Sequence, residues 1–194
     1  MPLISYQETA LPPVDRRAAL AYAGARSATD ELSCLLDDSF VALQGNLHPR
    51  VLYEVFSIKV EGDRVDFGAF SVTSHNLAAH LAPCRRAALF VATLGIEPDR
   101  LISRYTPVSL SRATMIDAIT IERIEAVCDL FCDDLSKREG ACISRFSPGY
   151  GDLPLSFQEK IFAVLDCTRH VGVSLNASLL MTPTKSVSAI VGIR

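Results

Sequence analysis

Apolar positions along the chain follow a helical period in some stretches and a strand period in others. Pro12-Pro13 ends a short N-terminal arm. Asp15 then predicts an N-cap for a helix through about Ala25, with Ala18, Ala19 and Tyr22 on its apolar face and Gly24 near its end. Ser27 or Thr29 caps a second helix, in which Leu32, Leu35, Leu36, Phe40 and Leu43 recur at helical spacing until Gly45-Asn46 stops it. From Leu52 to Val60 the period changes to two: Leu52, Glu54, Phe56, Ile58 and Val60 share one parity, a strand with mixed faces. Glu61-Gly62-Asp63 is its hairpin turn, and Val65 to Phe70 is the return strand. Ser74 caps a short helix from Asn76 to Leu81, broken at Pro83.

Ala87 to Ala92 is apolar throughout, as a strand buried on both faces must be. Thr93-Leu94-Gly95 leaves it, and Pro98 opens a helix to about Tyr105, where a missing N–H costs nothing. Strand, glycine and helix also describe a nucleotide site, but a single glycine fails the GxGxxG pattern. Ser109 or Ser111 caps the longest helix, to about Lys137, with Ile116, Ile124, Val127, Phe131 and Leu135 as its core face. A neighbouring stripe of Glu122, Glu125, Asp129 and Cys132 reads as a solvated face. After Gly140 come a strand at Ala141 to Ser144, a helix at Leu155 to Leu165, and closing strands at Gly172 to Leu175, Leu179 to Met181 and Ser186 to Ile193. Hairpins and helices in mixed order predict an α+β fold, a single domain over residues 1–194 with a largely antiparallel sheet.

Composition narrows the classes. The 194 residues are 49% apolar, with mean hydropathy +0.25, enough for a core without staples. A net charge of −3 gives no basic footprint for nucleic acid. No stretch approaches the roughly 18 unbroken apolar residues of a membrane span, and Met1-Pro2-Leu3-Ile4-Ser5 lacks a signal-peptide layout, so a cytoplasmic location is expected. Six cysteines at irregular spacing read as free thiols.

Candidate chemistry gathers at Ser144-Arg145-Phe146-Ser147-Pro148-Gly149-Tyr150-Gly151-Asp152. Pro148, Gly149 and Gly151 predict a stiff, tight loop. Arg145 offers a donor fork for an anion, and Tyr150 a flat face with a phenol. Arg145-x-x-x-Gly149-Tyr150 resembles the RxxxGY signature of the activation domain of cobalamin-dependent methionine synthase. Gly172-Val173-Ser174-Leu175-Asn176-Ala177-Ser178 and Met181-Thr182-Pro183-Thr184-Lys185-Ser186-Val187-Ser188 are similar to later segments of that family, in the same order. Residues 105–194 carry the motifs, and residues 1–80 match loosely.

The resemblance implies a curved antiparallel sheet flanked by helices. It also implies S-adenosylmethionine as ligand, bound by Arg145, Gly149, Tyr150, Glu125 and Glu139, and a face toward cobalamin formed by Tyr150, Met181, Thr182 and Pro183. The family supports reductive methylation of oxidised cobalamin in methionine biosynthesis, with electrons from a flavodoxin-type donor. This chain has no cobalamin-binding or methyltransferase domain of its own, so the expectation is action in trans on a methionine synthase or other corrinoid protein, as part of a methyltransferase system and not as a stand-alone enzyme. The family's paired tyrosines after the last strand have no counterpart before Arg194, and its early aspartate is unplaced among Asp30, Asp37 and Asp38. The alternative is therefore a corrinoid-protein interaction subunit that keeps the fold without binding S-adenosylmethionine. A zinc site from Cys128, Cys132, Cys167 and His170 has no recognised spacing, so core thiols are expected, with no metal. A hydrolase lacks its GxSxG elbow.

Overall fold

The computed structural model describes residues 2–25 and 27–194. In chain order the elements are β1 (Leu3–Ser5), α1 (Arg16–Tyr22), α2 (Asp30–Leu43), β2 (Arg50–Ser57), β3 (Lys59–Glu61), β4 (Arg64–Asp66), β5 (Ser71–Thr73), α3 (His75–Leu81) and β6 (Arg86–Thr93). There follow α4 (Glu97–Tyr105), α5 (Leu110–Glu139), β7 (Cys142–Phe146), α6 (Phe157–Leu165), α7 (Cys167–His170), β8 (Ser174–Leu175), β9 (Met181–Thr182) and β10 (Ser186–Ile193).

Side-chain caps set the helix starts. Asp15 accepts from the Ala18 amide (3.0 Å), Thr29 from Leu32 (3.3 Å), Ser74 from Leu77 (3.1 Å) and Ser109 from Arg112 (3.4 Å). The helix begun at Asp15 is shorter than predicted, ending at Tyr22 before Gly24 turns left-handed at φ +78°.

The fold is α+β, one domain around an open antiparallel five-stranded sheet in the order β1-β2-β6-β10-β7. Alternation along β6 serves both faces. Ala88, Phe90 and Ala92 pack under α1, α2 and α5, while Ala87, Leu89 and Val91 pack under α3 and α6. Phe131 of α5 anchors the first layer, 4.8 Å from the Phe90 ring and 5.1 Å from Tyr53.

Two strand expectations change. The run from Leu52 to Val60 is two strands, because the chain leaves β6 after Ser57 and starts a small three-stranded sheet, β3-β4-β5. Val65 to Phe70 is likewise interrupted by a turn at Gly68 (φ +86°). β2 is buried at Val51, Leu52 and Tyr53 and opens toward its end, where Glu54, Val55 and Phe56 are half-buried and Ser57 is exposed, in keeping with mixed faces.

Candidate functional site

Arg145 lies on the edge strand β7 and not in the loop after it, because β7 continues through Phe146. Pairing with β10 fixes where the side chains go. Arg145 is opposite Val191, on the face beneath α5, and Phe146 is opposite Ile190, on the α3 and α6 face. On α5, Glu125 and Asp129 are four residues apart and therefore neighbours on one side of the helix. The Arg145 Nη2 donates to Glu125 Oε2 (2.9 Å) and pairs with Asp129 Oδ1 (3.0 Å). The arginine side chain is 23% exposed, and its Nη1 is buried with no hydrogen-bond partner.

The thiols of the same helix lie close by. Burial pushes the Cys128 thiol up to about 12 and Cys132 up to about 11, against the opposing charge of Arg145. These groups stay protonated at neutral pH.

Glu125 and Asp129 also form one wall of a groove of about 590 Å³. Its other wall comes from the N-terminal arm and α1, with Pro12, Pro13, Asp15 and Tyr22. Glu122 and Asp133 add further carboxylates, so the groove favours a cationic group. The stripe read as solvated is thus only partly so. Glu122 is buried and chelated by Arg123 of its own helix at 2.5 and 2.6 Å.

Past β7 the chain makes a closed loop. The Gly149 amide donates to Leu153 O (2.9 Å), Tyr150 to Ser147 O (3.1 Å) and Leu153 to Tyr150 O (3.0 Å). Gly149 and Gly151 take φ of +89° and +55°, which L side chains rarely adopt. Tyr150 stands 71% exposed with its ring edge toward Phe146, centroids 6.1 Å apart. Asp152 pins this loop to the start of α3. It accepts from the Ser74 hydroxyl, from the His75 amide (2.6 Å) and from the Asn76 amide (3.1 Å). His80 adds a bond to Ser144 O at 2.8 Å.

Met181, Thr182 and Pro183 fall on β9 and the turn after it. Met181 is half-buried, Thr182 exposed and Pro183 buried, and Pro183 O accepts from Ser186 Oγ (2.8 Å). The next two residues are held by carboxylates of the helical layer. Thr184 donates to Asp99 through its amide (2.8 Å) and hydroxyl (2.5 Å), and Lys185 to Asp117 (2.6 Å). Since β7 and β10 run antiparallel, the loop leaving Phe146 and the segment entering Ser186 lie at the same end of the sheet.

Glu139 is not brought to Arg145. It pairs with Arg86 at 2.6 Å at the far end of α5, about four turns or roughly 21 Å along the helix from Glu125. The cysteine pairs are also apart: Cys128 packs in the layer on one face of the sheet and Cys167 in the layer on the other. Among the described residues no three potential metal ligands come together. All six cysteines are free thiols. Asp129, Asp15 and Arg123 were not singled out by sequence as site residues. The four-residue spacing of Glu125 and Asp129 was the signal available for the first, and no local signal marks the other two.

Residues 126–193 match the family described as vitamin B12 dependent methionine synthase, activation domain. That span includes Arg145, Gly149, Tyr150 and Met181 to Pro183, and it begins one residue after Glu125. No curated protein matches the chain. Among solved structures, a MetH reactivation domain bound to AdoHcy superposes with a TM-score of 0.77 at 16% identity, covering 98% of this chain and 77% of that one. The fold is therefore that of the methionine synthase reactivation domain, and the resemblance seen in the motifs holds.

Proposed function

We propose that this protein is a reactivation module that binds S-adenosylmethionine and acts in trans on a cobalamin-carrying methionine synthase or related corrinoid protein. The observation that carries this reading is the acidic groove itself: Glu125 and Asp129 line it, and Arg145 on the sheet edge holds both carboxylates from outside that lining. The residues fit the ligand. A sulfonium or ammonium suits the carboxylate wall.

When bound, S-adenosylmethionine would supply a methyl group on a positively charged sulfur for a partner's cobalamin, with S-adenosylhomocysteine as the leaving group and a flavodoxin-type donor as the source of electrons. The work of this chain is positional. Arg145 holds the two carboxylates in place. Gly149 keeps the loop backbone free of side-chain bulk, and exposed Tyr150 presents a flat ring to the partner side. Met181 and Thr182, at the same end of the sheet, offer a half-buried thioether and an exposed threonine beside which a corrin ring could lie, with buried Pro183 stiffening the turn behind them.

Calorimetric titration with S-adenosylmethionine tests this. Wild type is expected to bind at micromolar level, roughly −8 kcal/mol, and Arg145→Ala to lose about tenfold or more, since a buried charge contact costs about 1.5–3 kcal/mol. A flat titration for wild type would remove the ligand from the proposal. One observation favours the second reading, an interaction subunit without the ligand: Arg145 Nη2 is already taken by two carboxylates. Retained binding to a corrinoid protein together with a flat titration would select it.

A further inference from the structure

Glu122 and Arg123 are a buried ion pair whose remaining polar contacts run to the backbone of the N-terminal arm. Arg123 donates to Pro12 O (2.6 Å) and Pro13 O (3.3 Å), and Glu122 accepts from the Asp15 amide (3.2 Å). The two prolines have no N–H, so their carbonyls are the only backbone groups they can use, and one guanidinium takes both. The arm has open space on both sides: Pro12 and Pro13 line the acidic groove of about 590 Å³ and a second opening of about 870 Å³. A buried pair is a costly way to gain stability, and its better-attested use is to fix one arrangement among several.

We infer that Glu122 and Arg123 are positioning residues for the ligand groove, setting the arm as the wall opposite Glu125 and Asp129. This rests on the groove being the S-adenosylmethionine site proposed above. The wall is held at the pair's two ends, so loosening it opens the groove while the sheet beneath is undisturbed.

The test combines peptide-resolved hydrogen exchange with S-adenosylmethionine titration. It uses Arg123→Lys, which keeps the charge and loses the fork, and the double variant Glu122→Gln with Arg123→Met, which leaves no charge unpaired. Exchange over residues 10–18 is expected to rise about tenfold with β6 and β10 unchanged. Ligand affinity should fall about three- to tenfold, through faster dissociation, as for loss of preorganisation. Bound ligand should slow exchange of the same segment in wild type. Unchanged affinity in both variants, or faster exchange spread over the core, would overturn the positioning role while leaving the site intact. Absence of binding by wild type would instead sink the site, and the positioning role with it.

Discussion

At the scale of single residues, the stretch from Arg145 to Asp152 divides between a strand residue that holds the carboxylates of α5 and a loop residue that anchors to α3. The glycines and proline of this stretch predict a loop from Ser144, yet Arg145 stands on a strand, because Ser144-Arg145-Phe146 has no apolar alternation to announce that β7 continues. Asp152, the acidic end of the same stretch, faces α3 and not the groove. The Ser74 hydroxyl, followed by the His75 and Asn76 amides, holds its carboxyl below the ordinary 3.8. A group with a depressed folded pKa contributes stability above its unfolded pKa and loses it as pH falls through the folded one. Asp152→Asn should therefore lower the urea midpoint at pH 7. The gap from wild type should close as pH drops below about 4, where wild type also becomes protonated. Urea melts of both proteins between pH 3 and 7 check this, and a gap that stays constant would mean that the charge of Asp152 contributes nothing.

At the scale of elements, the sequence was most legible where a cap and a period agree. Asp15, Thr29, Ser74 and Ser109 each start a helix as their side-chain chemistry requires. Strand boundaries were less legible, since register is set by partners distant in the chain: β2 ends where β6 begins, at Ser57 opposite Arg86, and nothing within Leu52 to Val60 encodes that. Glu139 shows the same limit on a helix, where proximity in sequence to Arg145 conceals four turns of separation. Close approach between elements also escapes local reading. Gly192 on β10 has no unusual backbone angle, but a Cβ there would lie 2.6 Å from Cys84 Sγ and 2.8 Å from both Ile143 Cδ1 and Leu81 Cδ2. Gly192→Ala must displace buried Cys84 and Leu81 and half-buried Ile143, so a loss of about 1–3 kcal/mol is expected. Chemical denaturation measures it, and a neutral result would mean that the layer beneath β10 yields more easily than its packing indicates.

At the scale of the molecule, two separate clamps shape one end of the sheet. Asp152 ties the loop after β7 to α3, and Asp99 with Asp117 ties the approach to β10 to the opposite helical layer. β10 is almost wholly buried and holds the edge strand β7 beside it, so this end is a fixed surface. The segments leading into the clamps expose Tyr150, 71% accessible, and Leu180, 62% accessible and next in the chain to half-buried Met181. Exposed apolar groups on a rigid frame suit a partner more than a lone ligand. If a cobalamin-carrying protein docks here, Leu180→Ser should weaken that association about tenfold, as truncation of a contact costing somewhat over 1 kcal/mol does. The substitution is at an exposed site, so thermal stability should move by no more than about 0.5 kcal/mol. Val108 provides the control. It is 79% exposed in the connector between α4 and α5, on the helical layer over the other face of the sheet, and Val108→Ser should leave association unchanged. Sedimentation or surface-capture measurements against a cobalamin-loaded partner domain read both variants. Weakening by Val108→Ser and not by Leu180→Ser would move the docking face to the helical layer and detach Met181 to Pro183 from any role beside the corrin.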